Sequence, residues 1–446
     1  MPATALSTDL YELTMAAGYY VAGVKGRATF ELFVRELPPH RSYLIAAGLE
    51  QAIEYLEAVR FAPDEIEHLR RLANLHGVPS AFFDTCLRDF RFAGEVWAVE
   101  EGTPIFPHEP FLRVTAPLID AQLVETALLA IVTFQTSIAS KAARVVRAAA
   151  GRAVAEFGTR RAHGVEAGML AARAAYLAGC DSTSNVEAGF RFGIPVSGTM
   201  AHSWVMTFED EIDAFRRYTE LFGDRAILLI DTYDTAQAAR KIVTSGLRPA
   251  AVRMDSGRIE ELSREVRRIL DAGGLGETKI FVSGDLDEYR IAQLVDEGAP
   301  LDAFGVGTAM STSKDAPALG GVYKLVEVER GGRMVRVLKL SPGKASYPGA
   351  KQAWRVMSGG GADHDVLALA DEQGPPGAVP LLRRVMAAGR RVAAARPLAE
   401  LRSRCLELVA GLPDSLKRID ETVDYPVQVS NSLQRLAQQL STRAER

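Results

Sequence analysis

Seven short apolar runs between residues 152 and 308 each end in a polar or glycine-rich cluster. They are Glu156-Phe157-Gly158-Thr159-Arg160-Arg161, Asp181-Ser182-Thr183-Ser184-Asn185, Gly198-Thr199-Met200-Ala201-His202-Ser203, Asp231-Thr232-Tyr233-Asp234-Thr235, Arg253-Met254-Asp255-Ser256-Gly257, Ser283-Gly284-Asp285 and Gly305-Val306-Gly307-Thr308. Gly, Ser and Asp at such places also end strands and cap helices. That accounts for single clusters, but not for Arg160, Arg161, His202 and Arg253 all standing at run ends. A guanidinium can grip a planar carboxylate or a phosphate with two parallel hydrogen bonds. A neutral imidazole is a competent nucleophile near neutral pH. The Ser283-Gly284-Asp285 turn and the glycine-rich 305–308 turn suit a phosphate held on backbone N–H groups. Each residue has a plainer reading beside this one. Arg253 could pair internally with Asp255 or Asp231, His202 could be a helix-start histidine satisfied by a backbone group, and Phe157 could be core packing.

The elements that must hold these clusters alternate between strand and helix. Ala153–Phe157, Ala226–Ile230, Ala250–Met254, Lys279–Val282 and Ala303–Val306 read as strands, with helical spacing of Ile259, Leu262, Val266 and Ile269, and of Ile291, Leu294 and Val295, between them. This alternation predicts a parallel sheet, and its repetition favours a (β/α) barrel whose chemistry sits at the carboxyl ends of the strands. The region before it mixes short strands (28–34, 43–46, 95–100, 111–114) with a helix at 48–59, and then a long helix from about 119 to 150. After Gly320, residues 322–329 and 334–340 flank Arg330-Gly331-Gly332-Arg333 as a hairpin, and a helical, charged tail closes the chain. The division expected is therefore a mixed α/β domain over 1–150 with its connecting helix, a barrel-like catalytic domain over 151–320, and a segment over 321–446 that packs back on the N-terminal domain.

A chain of 446 residues is long enough for two or three cores. Its net charge of −4 and the lack of a basic block give nucleic-acid binding no electrostatic support. Asp9 and Glu12 interrupt the apolar N-terminus, so no signal peptide is expected, and the most apolar stretch, 121–140, carries Gln122, Glu125 and Gln135, which argues against a membrane span. Three widely spaced cysteines, Cys86, Cys180 and Cys405, offer neither a disulfide framework nor a zinc site and suit a reducing cytosol.

Taken in order, these clusters resemble the nicotinate phosphoribosyltransferase family. Thr8-Asp9-Leu10-Tyr11 begins the pattern, the 156–161, 198–204, 253–257 and 305–308 clusters continue it, and Pro348-Gly349-Ala350-Lys351-Gln352 closes it. The resemblance covers residues 5 to about 355. It implies an irregular α/β barrel with a second mixed α/β domain built from both chain ends, and a homodimer with shared active sites. It implies condensation of nicotinate with phosphoribosyl pyrophosphate to nicotinate mononucleotide and pyrophosphate, with coupled ATP hydrolysis and magnesium. Residue by residue, His202 would accept a phosphoryl group from ATP, and Arg253 would clamp the nicotinate carboxylate while Thr199 donates a hydrogen bond to the same substrate. Phe157 and a partner subunit's Tyr11 would sandwich the pyridine, Arg160 would meet phosphate or pyrophosphate, Asp255 would hold ribose hydroxyls, and Gly284, Gly307 and Thr308 would bind the 5′-phosphate. No metal-ligating residue is assigned. One departure stands out: relatives commonly carry Asp after the Arg-x-Asp-Ser-Gly pattern, whereas Arg258 and Ile259 follow here.

Three other functions compete. A nicotinamide-using relative would place an aspartate where Ser184 stands, and a carboxylate there would repel nicotinate. A quinolinate-type enzyme would need a denser basic pocket and a shorter chain. A non-catalytic nucleotide-binding protein on the same fold would be expected to lose His202 or Arg253, and both are present.

Overall fold

The computed structural model describes residues 4–340 and 346–444. The chain divides into two compact units, one made of residues 1–137 with 318–446 and the other of residues 138–317. The division falls inside the long helix Glu125–Ala148.

In the unit made from both chain ends, a seven-stranded antiparallel sheet interleaves early and late segments. Its order is Arg333–Arg336, Gly321–Arg330, Arg27–Val34, Leu112–Pro117, Glu95–Val99, Leu382–Ala387 and Arg390–Arg391. The early strands occupy the middle, and C-terminal strands pair on both flanks. Seven of the eight residues of Arg27–Val34 are buried, so this strand is covered on both faces rather than on one. Phe30 stacks on Tyr323 at 4.8 Å, and the Tyr323 hydroxyl donates to the Ala121 carbonyl. A second sheet of four strands comes wholly from the C-terminal part.

Two motifs of the family pattern turn out to be joints of this unit. Lys351 is fully buried, with Nζ 2.6 Å from Glu31 Oε2 and further bonds to the carbonyls of Tyr347 and Gly349, while its N–H donates to Glu31 Oε1. The Gln352 amide exchanges two 2.9 Å hydrogen bonds with the backbone of Leu382. Near the N-terminus, buried Glu12 accepts the Thr8 hydroxyl and the Thr126 N–H. Thr126 is the second residue of the long helix, so Glu12 supplies the carboxylate that a helix N-terminus favours. That bond corrects one expectation: the stretch 119–150 is two helices, Leu118–Leu123 and Glu125–Ala148, with Val124 between them.

The other unit carries six parallel strands: Ala153–Glu156, Ser182–Thr183, Ile227–Leu229, Ala251–Met254, Lys279–Val282 and Ala303–Val306. The last pairs with the first, and the sheet curls into a half-barrel whose open edges are Ser182–Thr183 and Ile227–Leu229. The third apolar run forms no strand. It contributes a single bridge, Val196 with Thr183, leaving a gap toward Ile227–Leu229. The side chain of Thr199 spans that gap, donating from Oγ1 to the Ile227 carbonyl at 2.7 Å. Helices rich in alanine on their inner faces, such as Val165–Leu177, cover the sheet closely. Behind the barrel, Lys141 and Arg144 pair with Glu288 at 2.5 and 2.8 Å, and Lys141 also reaches Asp315.

Candidate active site

Arg253 stands in the strand Ala251–Met254, and its side chain is only 13% exposed. Its Nε donates to Ser283 Oγ at 2.8 Å, Nη1 to the Met200 carbonyl at 3.1 Å, and Nη2 lies 3.1 Å from Asp255 Oδ1. A guanidinium has five N–H groups, and three are used here. One remains on each terminal nitrogen, enough for a planar anion without breaking any protein contact. The internal pair with Asp255 and a substrate clamp are thus compatible.

Asp255 is held from both sides. Ser283 Oγ donates to its Oδ1 at 2.5 Å, and its backbone N–H donates to Asp231 Oδ2 at 2.9 Å. Asp231 Oδ2 also accepts the Ser256 hydroxyl at 2.6 Å, so one carboxylate ties down the whole turn. Burial pushes the Asp255 pKa up, but the Ser283 hydrogen bond and the Arg253 charge outweigh it, and the group sits below its ordinary value. It is therefore ionised at neutral pH, with Oδ2 accepting no hydrogen bond among the described residues.

The adjoining turn requires glycine. Gly284 has φ +92°, and a Cβ on it would stand 2.0 Å from the Asp255 carbonyl oxygen. The backbones after two neighbouring strands are thereby pressed together. Asp287 then caps the helix Glu288–Asp296 by accepting the Arg290 N–H.

Around the first strand, Gly305 lacks the Cβ that would lie 2.8 Å from the Phe157 ring. The ring uses that space and meets Phe281 edge to face at 5.5 Å. Gly307 passes close to the Phe157 carbonyl, and Thr308 opens the short helix Thr308–Ser311. Behind Phe157 lies Glu156, fully buried. It accepts the Gly158 N–H and the Thr183 hydroxyl, and burial raises its pKa. Ser184 follows, half-buried, with its N–H on the Glu156 carbonyl. Arg160 lies in the exposed turn Thr159–Arg161 and makes no ion pair among the described residues.

His202 is the first residue of the helix His202–Met206, but its partner is a side chain: Nδ1 lies 3.1 Å from Thr232 Oγ1. When Nδ1–H is the donor, the lone pair is left on Nε2.

The Thr199 hydroxyl donates to the Ile227 carbonyl at 2.7 Å, across the gap left where the third run makes only one bridge. The structure brings together Arg253, Asp255 and the Met200 backbone, His202 with Thr232, and Phe157 with Gly305, Gly307 and the Ser184 backbone. Tyr11 belongs to the other unit. It lies on the helix Leu10–Val21 and is 46% exposed, and burial, then the charge of Glu125, raises its pKa. Ser283, Asp231 and Glu156 act as supports; each stands in a polar cluster at the end of an apolar run, but nothing local to it shows which group it holds. Among the described residues no group of three or more His, Cys, Asp or Glu side chains could hold a metal ion.

Comparisons with known proteins agree along the whole chain. Residues 6–133 match the N-terminal domain of nicotinate phosphoribosyltransferase, and residues 375–437 match its C-terminal domain. Residues 138–316 match the C-terminal domain of quinolinate phosphoribosyl transferase. The chain is 44% identical to a nicotinate phosphoribosyltransferase of Mycobacterium tuberculosis over 437 residues, covering 96% of this chain and 92% of that one. It is 43% identical to the Bacillus subtilis protein of the same name over 383 residues, covering 82% and 76%. The crystal structure of human nicotinic acid phosphoribosyltransferase superposes with a TM-score of 0.85 at 30% identity, over 97% of this chain and 99% of that one.

Proposed function

Since this chain belongs to the nicotinate phosphoribosyltransferase family, we propose that it joins nicotinate to phosphoribosyl pyrophosphate, releasing pyrophosphate and forming nicotinate mononucleotide, a precursor of NAD. The observation that carries this reading is the guanidinium of Arg253, fixed by three protein contacts with two N–H groups to spare. A pyridine carboxylate accepts both; a carboxamide, with one acceptor and a competing N–H₂, does not. Ser184 adds no carboxylate to repel it.

In this reading the pyridine ring lies against Phe157, and its nitrogen lone pair attacks the anomeric carbon as the bond to pyrophosphate breaks. The sugar carries positive charge on the way, so ionised Asp255 at the ribose hydroxyls and Arg160 at the departing pyrophosphate do most of the work, by position and charge. Gly284, Gly307 and Thr308 would bind the 5′-phosphate. Asp255 Oδ2 and Asp231 Oδ1 accept no hydrogen bond here, and no cluster of three or more metal-ligating side chains stands among the described residues, so magnesium would arrive on the phosphates rather than in a protein cage. ATP would phosphorylate Nε2 of His202, with ADP leaving.

The chain would act in the cytosol as a homodimer with shared sites, Tyr11 reaching the ring from the second copy. Supporting this are cysteines that form no disulfide among the described residues and exposed apolar side chains on two helices, Leu10, Tyr11 and Met15 on one and Val186 and Phe190 on the other. No helix among the described residues is long and apolar enough to cross a membrane.

The test is an assay of both pyridines, with and without γ-labelled ATP. Nicotinate should be used about a hundredfold better than nicotinamide, the scale of a charge-assisted pair. ATP should stimulate turnover and label the wild type but not His202→Ala. Equal use of the two pyridines would sink the substrate assignment, and undiminished labelling of a folded His202→Ala protein would sink the role of His202.

A further inference from the structure

Ser283 is only 3% exposed, yet its hydroxyl touches the two charged groups that flank the reaction. It accepts from Arg253 Nε at 2.8 Å and donates to Asp255 Oδ1 at 2.5 Å, while Arg253 and Asp255 are themselves 3.1 Å apart. A hydroxyl has one proton and two lone pairs, so both bonds form at once, and their directions are set. The proton must go to the carboxylate, because the guanidinium only donates.

This arrangement has two consequences. Rotation of the Arg253 fork about its long stem is blocked at Nε, and the two unspent N–H groups point one way only. Asp255 Oδ1 is filled twice over, by Ser283 and by Arg253, which leaves Oδ2 as the oxygen open to a ligand. We propose that Ser283 is a positioning residue that couples the two substrates, orienting Arg253 for the pyridine carboxylate and Asp255 for the sugar hydroxyls through one hydroxyl group. When nicotinate takes the free N–H groups of Arg253, the guanidinium is shared among more acceptors and draws less on Asp255. The carboxylate becomes a better acceptor for the ribose. Binding of either substrate then strengthens binding of the other, and by linkage the factor is the same in both directions.

Sequence distance hides this triangle. Ser283 lies 30 residues from Arg253 and 28 from Asp255. It is brought to them because the strands Ala251–Met254 and Lys279–Val282 run side by side, with Phe281 opposite Arg253 and Val282 opposite Met254. The Gly284 turn holds the next backbone against Asp255.

The proposal rests on the roles given above to Arg253 and Asp255, and its test separates the two levels. The dissociation constant of nicotinate is measured by calorimetry with and without phosphoribosyl pyrophosphate, in the wild type, Ser283→Ala, Arg253→Lys and the double variant. Ser283→Ala should weaken nicotinate about tenfold and abolish the mutual enhancement. Arg253→Lys has no Nε–H in the fork geometry, so adding Ser283→Ala to it should cost nicotinate nothing further, while still weakening phosphoribosyl pyrophosphate. A Ser283 that merely supported packing would impose the same factor in both backgrounds, and that result overturns the proposal. Unchanged affinities in Ser283→Ala overturn it too. If Arg253→Lys itself leaves nicotinate binding untouched, the reading of the clamp fails first.

Discussion

Each unit of this protein builds an arginine–aspartate pair into its interior, and the two pairs differ in how far the acid is filled and how far the pair is closed off from water. In the unit made from both chain ends, Arg355 meets Asp365 with two parallel bonds of 3.0 and 2.7 Å. It also donates to the Pro104 carbonyl, and its guanidinium lies over the rings of Phe106 and Tyr425. Tyr425 donates to Asp365 in turn. Both charges are sealed from water, and the acid oxygens are filled. In the barrel, Arg253 meets Asp255 through a single contact, keeps two N–H groups unspent, and stands where solvent still reaches. The residue types are the same. An unfilled carboxylate oxygen beside an opening marks the functional pair, and deep burial with both acid oxygens occupied marks the structural one.

The largest expected effect breaks this contrast directly. Arg355→Ala strands a buried carboxylate, and it should cost about 3–5 kcal/mol of stability, read by denaturant unfolding. Arg253→Ala should change stability by less than about 1 kcal/mol and lower kcat/KM for nicotinate by roughly a hundredfold. Equal losses of stability in the two variants would erase the distinction.

The next effect concerns the backbone that holds the open pair. Gly284→Ala forces a side chain into a left-handed conformation against the Asp255 carbonyl, and should cost about 2–3 kcal/mol and raise the KM for phosphoribosyl pyrophosphate. Gly198→Ala adds a methyl with no atom within 4 Å and should be near neutral in stability. Thermal melting and saturation kinetics on both variants decide whether the turn at 284 is special.

The smallest effects are in the pH dependence of stability, and they run in opposite directions. Glu109 lies beside Asp365, and burial, then the neighbouring carboxylate, raises its pKa well above the ordinary value. A proton on Glu109 gives its otherwise unpartnered Oε1 something to donate. A raised folded pKa means that the folded state binds the extra proton, so stability falls as pH climbs above the unfolded value of about 4.3. Glu109→Gln should flatten that decline. Asp255 is lowered instead, so its contribution is present above its unfolded value and is lost as pH falls through the folded one. Asp255→Asn should therefore flatten only the acid limb. Stability curves across pH 3–9 that are unchanged by either substitution would remove the electrostatic part of the contrast.

How much of this was legible in the sequence depends on how local each feature is. The strands of the barrel, the hairpin near Gly331 and Gly332, and the placing of Arg160, His202 and Arg253 at strand ends all follow from apolar periodicity and turn residues within a few positions of one another. So does the family pattern itself, because it is a matter of order and residue type. The partners of those residues were not legible. Arg253 bonds to Met200, 53 residues away, and Glu12 caps a helix at Thr126, 114 residues away.

By itself, then, the sequence determined which residues could do the chemistry and that they would lie along one edge of a parallel sheet, since side-chain type and local period suffice for both. Tertiary structure decided which of them are spent and which are free. It reduced the third run to one bridge and set the Thr199 hydroxyl on the Ile227 carbonyl. It filled both oxygens of Asp365 and left one of Asp255 open, and it set Ser283 between Arg253 and Asp255. The physical reason is that a hydrogen-bonding group has a fixed capacity, and how much of it remains depends on neighbours that only the folded chain assembles.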